Sequence, residues 1–319
     1  MLRLHGITPV MVSPFWDDEG LDENNLRRQI DFAINNGAAA VAGPGYASEF
    51  YKMSDGERYR FAEVLVDQAK KRVPVIIATS SDSTYLTIEF SKFAERISAD
   101  CLMVTPPRTT KLPASEIVEY YSRLCSAVSI PVMLQDADFT GAGLPADVFV
   151  DLAMRHENFL FTKLEIIMPG QKCAEIIERT NGRMQVIYGL GGIAMLDGLY
   201  RGASAFMPGA ALLEVYVLTC ELYRSGLTRE AQALFARLIP YLAFALQHLE
   251  LAVGMEKRVM ARRGIIPSAR MRQPTLRFDK AGEQQIEQYV DEAVALAEEC
   301  RAALRASVQA GADAAGNRR

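Results

Sequence analysis

A chain of 319 residues, 50% hydrophobic and 23% charged, is long enough to bury a large core and too apolar for a disordered segment. Its 39 acidic and 35 basic residues leave a formal net charge of −4 with no basic stripe, which argues against nucleic acid as a partner. Five cysteines without a C-x-x-C pair and three scattered histidines (His5, His156, His248) support neither a disulfide framework nor a metal site, so a reducing cytoplasm is expected. The opening "MLRLHGITPVMVSPF" reaches proline and a polar turn too early for a signal-peptide core, and no later apolar run is long enough to cross a membrane.

In chain order, short apolar or β-branched runs bounded by glycine and proline alternate with longer segments of helical period. "GITPVMV" from Gly6 precedes the helical "DENNLRRQIDFAINNG"; "AAAVAGPG" from Ala38 precedes "SDGERYRFAEVLVDQAKKR"; "VPVIIATS" from Val73 precedes "STYLTIEFSKFAERIS". The strand candidates continue with "DCLMVTPP" from Asp100, "IPVMLQD" from Ile130, "FLFTKLE" from Phe159, "MQVIYG" from Met184 and "ASAFMPG" from Ala203. Strands apolar on both faces and joined by helices imply a parallel sheet. Eight such units, with no G-x-G-x-x-G after the first strand, predict a closed (β/α)₈ barrel of the α/β class rather than an open dinucleotide-binding sheet. Beyond the eighth strand only helical patterns follow. The expected division is therefore a barrel over residues 1–225, a helical subdomain over 226–306 and a disordered tail over 307–319.

The sixth strand holds two charges that an apolar strand has no reason to contain. Side chains alternate along a strand, so Lys163 and Glu165 share one face while Leu164 takes the other. Both then point toward the barrel axis near the strand's carboxyl end, where barrel enzymes keep their chemistry. A lysine taken out of water has its charged form disfavoured, and the free amine is a nucleophile for a ketone. The natural use is a Schiff base with a 2-keto acid: the protonated imine draws electrons, the C3 proton turns acidic, and Glu165 is placed to move it. The plainer reading is a structural ion pair at the barrel mouth; the strand context favours the catalytic one.

These residues resemble the pyruvate-type class I aldolases and dehydratases that include dihydrodipicolinate synthase and N-acetylneuraminate lyase. The resemblance runs from about Gly6 to Arg277 and rests on "GITPVMVSPF", "GPGYASEFYKMSDGER", "RVPVIIATSS", "LMVTPP" and Lys163 at the Schiff-base position. It implies a (β/α)₈ barrel with a C-terminal helical region, a homotetramer built from dimers, and no separate cofactor, because the lysine itself supplies the electron sink.

Departures from the synthase pattern carry the reaction. Gln135 stands where the synthase has its strand-five tyrosine, and an amide cannot relay a proton as a phenol does. Arg108 replaces the tyrosine given by a neighbouring subunit, Tyr46 and Ala47 replace two loop threonines, and "QDADFTGAG" lacks the arginine that holds the second substrate. "PVMLQDA" with "TKLE" resembles instead the 2-keto-3-deoxy sugar-acid dehydratases, above all those acting on 2-keto-3-deoxy-L-arabinonate, which also carry S-E near Ser48 and Glu49. That resemblance implies a Schiff base on Lys163, Glu165 as the acid/base in place of the missing tyrosine, and a keto-acid semialdehyde product. Ser48 is a candidate to bind the keto-acid carboxylate, or a turn former. Tyr46 is a candidate phenol, or packing. Arg108 is a candidate for the distal end of the substrate, or for a subunit contact. Gly189 and Met207 match positions where backbone lines the family's pocket. A pyruvate-dependent aldolase or synthase is the first rival, and a barrel that binds a keto acid without turning it over is the second.

Overall fold

In the computed structural model, which describes residues 2–316, the eight expected strands form one parallel sheet. They are β1 (Gly6–Ile7), β2 (Val41–Gly43), β3 (Val75–Ala78), β4 (Cys101–Val104), β5 (Val132–Asp136), β6 (Phe159–Leu164), β7 (Gln185–Tyr188) and β8 (Ala205–Phe206). From β2 to β8 each pairs with the next in sequence, and β1 pairs with β8. The ring closes just beyond β1, where Val10 bridges both Ala42 and Gly209 and the Met11 N–H donates to the Ala42 carbonyl at 2.9 Å. The (β/α)₈ barrel expected from the alternation is the fold observed.

Helices α1 (Glu23–Asn35), α2 (Asp55–Ala69), α3 (Thr84–Arg96), α4 (Ala114–Ala127), α5 (Ala146–Arg155), α6 (Pro169–Arg179), α7 (Met195–Arg201) and α8 (Leu213–Arg224) follow the strands in turn. Local signals set their starts. The Asp22 carboxylate caps α1 by accepting the Asn25 N–H at 3.1 Å, and Ser54 with Glu57 forms a reciprocal capping box on α2. The main core lies between strands and helices. A second cluster fills the barrel interior, where small residues such as Ala42, Ala78 and Ala205 alternate with Met103, Met133 and Phe161.

Three helices follow the barrel: α9 (Thr228–Ala245), α10 (Leu249–Arg262) and α11 (Lys280–Gly316). α11 includes residues 307–316 of the expected tail, and residues 317–319 lie outside the described residues. α10 crosses the carboxyl-end rim of the barrel. Its Lys257 pairs with Glu49 after β2 at 2.5 Å, and its Glu256 accepts the Ala211 N–H after β8 at 2.6 Å. All five cysteines are buried and free, and among the described residues no helix is long and apolar enough to cross a membrane.

Candidate active site

The ladder between β5 and β6 runs one residue past the end of β6, because the Glu165 N–H donates to the Asp136 carbonyl at 3.0 Å. Strand alternation therefore holds through Glu165, and Lys163 and Glu165 both face the interior. Their charged ends meet: Lys163 Nζ lies 3.0 Å from Glu165 Oε1, with only 3% and 6% of the two residues exposed. Burying two charges is costly unless their remaining lone pairs and protons are satisfied. The neighbouring strands meet that need for the carboxylate. Gln135, in register with Lys163, donates its side-chain N–H to Glu165 Oε2 at 2.5 Å, and the Leu190 N–H donates to Oε1 at 2.9 Å. Burial pushes the Glu165 carboxyl up, but Lys163, Gln135 and the Leu190 N–H outweigh it and hold the carboxyl below its ordinary value. Glu165 is thus held as a carboxylate. The Lys163 amine has no other polar partner among the described residues.

β7 makes room for the pair. A Cβ on Gly189 would lie 2.4 Å from Glu165 Cγ and 2.5 Å from Lys163 Cε, so no side chain fits there. Leu190 follows with φ at 49°, a left-handed conformation unfavourable for leucine, and its N–H makes the bond to Glu165.

A second cluster stands over the mouth. Tyr46, in the short turn Tyr46–Ser48 after β2, accepts a hydrogen bond on its hydroxyl from the Arg108 guanidinium. The same guanidinium lies over the Tyr46 ring at 5.3 Å and the Phe139 ring at 5.7 Å, and the two rings meet edge to face. Asp82 fixes the Arg108 loop by accepting the N–H groups of Arg108 and Thr109 at 2.8 and 3.0 Å. Burial raises the Tyr46 phenol, Arg108 opposes that, and the charge of Glu165 adds to the rise, so the two clusters share one electrostatic field.

The sequence of residues 3–293 matches the profile of the Dihydrodipicolinate synthetase family. The chain belongs to that family, which places it among the family's lyases. It is 29% identical over 276 residues to an L-2-keto-3-deoxyarabonate dehydratase of Azospirillum brasilense, covering 85% of this chain and 89% of that one. It is 26% identical over 246 residues to a 4-hydroxy-tetrahydrodipicolinate synthase of Methanopyrus kandleri, covering 75% and 80%. Dihydrodipicolinate synthase from Rhodopseudomonas palustris superposes with a TM-score of 0.84 at 21% identity, over 91% of this chain and 97% of that one, a likeness of fold.

Within this member of the family, Lys163, Glu165, Gln135 and Gly189 come together in direct contact, and Tyr46 and Arg108 meet above them. Ala47 packs against the interior cluster, and Met207 belongs to it. Ser48 is turned into its own loop: its hydroxyl donates to the Met11 carbonyl and accepts the Gly45 N–H at 3.0 Å. Sequence reasoning missed Leu190 and Phe139. The "GLGG" run marked an unusual turn at Leu190; nothing in "DADFTG" marked Phe139, whose role depends on a loop 31 residues earlier in the chain.

Proposed function

We propose that this protein is a Schiff-base-forming lyase of 2-keto acids, and specifically a dehydratase of a 2-keto-3-deoxy sugar acid such as 2-keto-3-deoxy-L-arabinonate. The observation that carries the reading is the ionised Glu165 at 3.0 Å from Lys163 Nζ, with an amide at Gln135 where a phenol would be needed for the synthase reaction. Similarity to the dehydratase of A. brasilense supports the same choice.

The chemistry follows from one lysine and one carboxylate. Glu165 takes a proton from Lys163, and the freed amine attacks the C2 carbonyl. Glu165 returns that proton to the carbinolamine hydroxyl, water leaves, and the imine forms. Once protonated, the imine acidifies C3, and Glu165 is again the nearest base. The resulting enamine expels the C4 hydroxyl, which takes the proton now on Glu165 and leaves as water, and a C3=C4 double bond conjugated to the imine forms. Loss of a proton from C5 and gain of one at C3 move the double bond to C4=C5; hydrolysis of the imine by one water frees Lys163, and tautomerisation of the C4–C5 enol gives an aldehyde at C5. The net reaction loses one water and keeps every carbon, so no pyruvate is released.

Pyruvate with borohydride tests the shared first step: a mass adduct is expected on Lys163, and its absence sinks the imine. A panel of 2-keto-3-deoxy acids then tests the second. A semialdehyde without free pyruvate is expected; pyruvate release would make the protein an aldolase. Glu165→Gln should trap pyruvate more slowly, on Lys163 as before, and lose roughly 10²–10⁴-fold in dehydration rate. An unchanged rate would remove Glu165 from the mechanism. The homotetramer implied by the family resemblance belongs to the same reading, and light scattering of the purified protein checks it.

A further inference from the structure

Outside the mechanism above, one half-buried carboxyl group has no cation bound to it among the described residues. Glu256, on α10, sits against Gly209 at the carboxyl end of β8, where a Cβ on Gly209 would lie 2.1 Å from Glu256 Oε1 and 2.2 Å from its Cδ. The carboxyl therefore occupies the space that a side chain at position 209 would fill. That space faces the barrel interior. Met207 belongs to the interior cluster and Gly209 follows it by two, the period of a strand; Val10, bridged to Gly209, is an interior residue too. Glycine at 209 and glutamate at 256 together place a carboxyl group from a different helix on the inner rim.

The group is held but not neutralised. The Ala211 N–H fixes Oε1 at 2.6 Å, and the adjacent Lys257, bound to Glu49, pins the helix turn that carries it. Among the described residues no cation forms an ion pair with Glu256. The nearest charge acting on it, Arg263, is bound to Glu214 at 2.6 Å and to Glu298 at 3.3 Å. The other titratable groups that face it are the hydroxyls of Tyr216 on α8 and Tyr241 on α9. Burial, opposed by backbone N–H groups and Arg263, pushes its pKa up to about 7, yet the residue keeps some access to solvent. A half-buried carboxyl without a cation has an oxygen left to accept a hydrogen bond from a ligand.

We infer that Glu256 is a specificity-determining residue that accepts a hydrogen bond from a hydroxyl on the distal carbons of the substrate, on the β8 side of the barrel mouth. The inference rests on the keto-acid reading of Lys163. β8 lies two strands from β6, roughly 10 Å around the ring, and both side chains reach inward across that distance. A keto acid bound through C2 at Lys163 and extending toward β8 presents its hydroxyl-bearing end to Glu256. Pyruvate, which has no such end, does not reach it. Arg108 and Tyr46 stand at the β2 and β4 side of the mouth, so the two clusters contact different parts of one ligand.

The test compares ligands that differ in hydroxyls. Apparent affinities for pyruvate and for a five-carbon 2-keto-3-deoxy acid are measured by borohydride trapping on wild type and on Glu256→Gln. The expected result is a loss of about tenfold for the hydroxylated acid, with pyruvate changed by less than about twofold. Equal changes for both ligands, or none for either, would overturn the inference. Wild type alone gives a second arm. A carboxylate binds a hydroxyl better than a neutral acid does, so the preference for the hydroxylated acid over pyruvate should rise as pH passes upward through about 7. A flat ratio between pH 6 and 8 counts against Glu256 even if the variant fails to fold. Failure of wild type to trap pyruvate at any pH is a different outcome, and it removes the keto-acid reading itself.

Discussion

Two buried lysine–glutamate pairs hold this molecule, and they do different things. Lys163 and Glu165 meet at 3.0 Å inside the barrel; Lys257 and Glu49 meet at 2.5 Å under α10. Lys257 carries the more obvious sign of a nucleophile, since burial, opposed by Glu49, lowers its pKa to about 8. It is nevertheless the structural one. Its amine also donates to the Arg270 carbonyl at 2.8 Å and lies over the Phe15 ring at 4.4 Å, and neither it nor Glu49 has any exposed surface. Glu49 in turn accepts the Arg272 N–H at 3.1 Å. Every direction from which a ketone could come is filled. Among the described residues Lys163 has one polar partner, Glu165, and it keeps 3% of its surface exposed. A depressed pKa makes an amine capable of attack; access from solvent makes it a site.

That division can be broken experimentally, beginning with the largest effect. Lys163→Met should abolish borohydride trapping and lower turnover by about 10⁴-fold or more in the folded protein. Turnover retained in that variant would mean that the nucleophile is elsewhere. Lys257→Met should instead spare trapping: a loss of about 3 kcal/mol is expected in denaturant unfolding, because the buried Glu49 keeps only Lys52, at 3.2 Å, of its two lysine partners, with Lys163 still trapped in the folded fraction. If folded Lys257→Met no longer traps pyruvate, the two pairs are not separable.

Smaller changes sharpen the same contrast. Gly189→Ala should displace Lys163 and Glu165 and lower turnover by roughly 10²-fold, with about 1–3 kcal/mol lost in stability. A variant with normal turnover would show that β7 does not set the approach. On the structural side, Arg272 binds Glu57 at 2.6 Å and lowers its pKa from 4.5 to about 2. The folded value lies below the unfolded one, so this contribution is complete above about pH 4.5 and is lost as the pH falls toward 2. Urea midpoints at pH 5 and pH 3 should therefore fall more in wild type than in Glu57→Gln, and an equal fall in both would remove Glu57 from the acid sensitivity.

Much of this was legible in consecutive residues. Eight short apolar runs separated by helical patterns were enough for the barrel, and "FTKLE" was enough to put Lys163 and Glu165 on one face. Gln135 was readable as the missing phenol because it sits on the adjacent strand. The uses of Ser48 and Tyr46 were not readable. Whether the Ser48 hydroxyl turns to the ligand or to the Met11 carbonyl depends on a residue 37 positions away. Tyr46 acquires its partner from Arg108, 62 positions away.

By itself the sequence determined the strand period, the barrel, and the pairing of one amine with one carboxylate, because side-chain alternation is a local property of an extended chain. Tertiary structure alone decided which lysine is reachable. Lys257 and Glu49 lie 208 residues apart, and Glu256 fills the space beside Gly209 from another helix. Such contacts depend on how loops close and helices pack, and no local pattern in the chain records that.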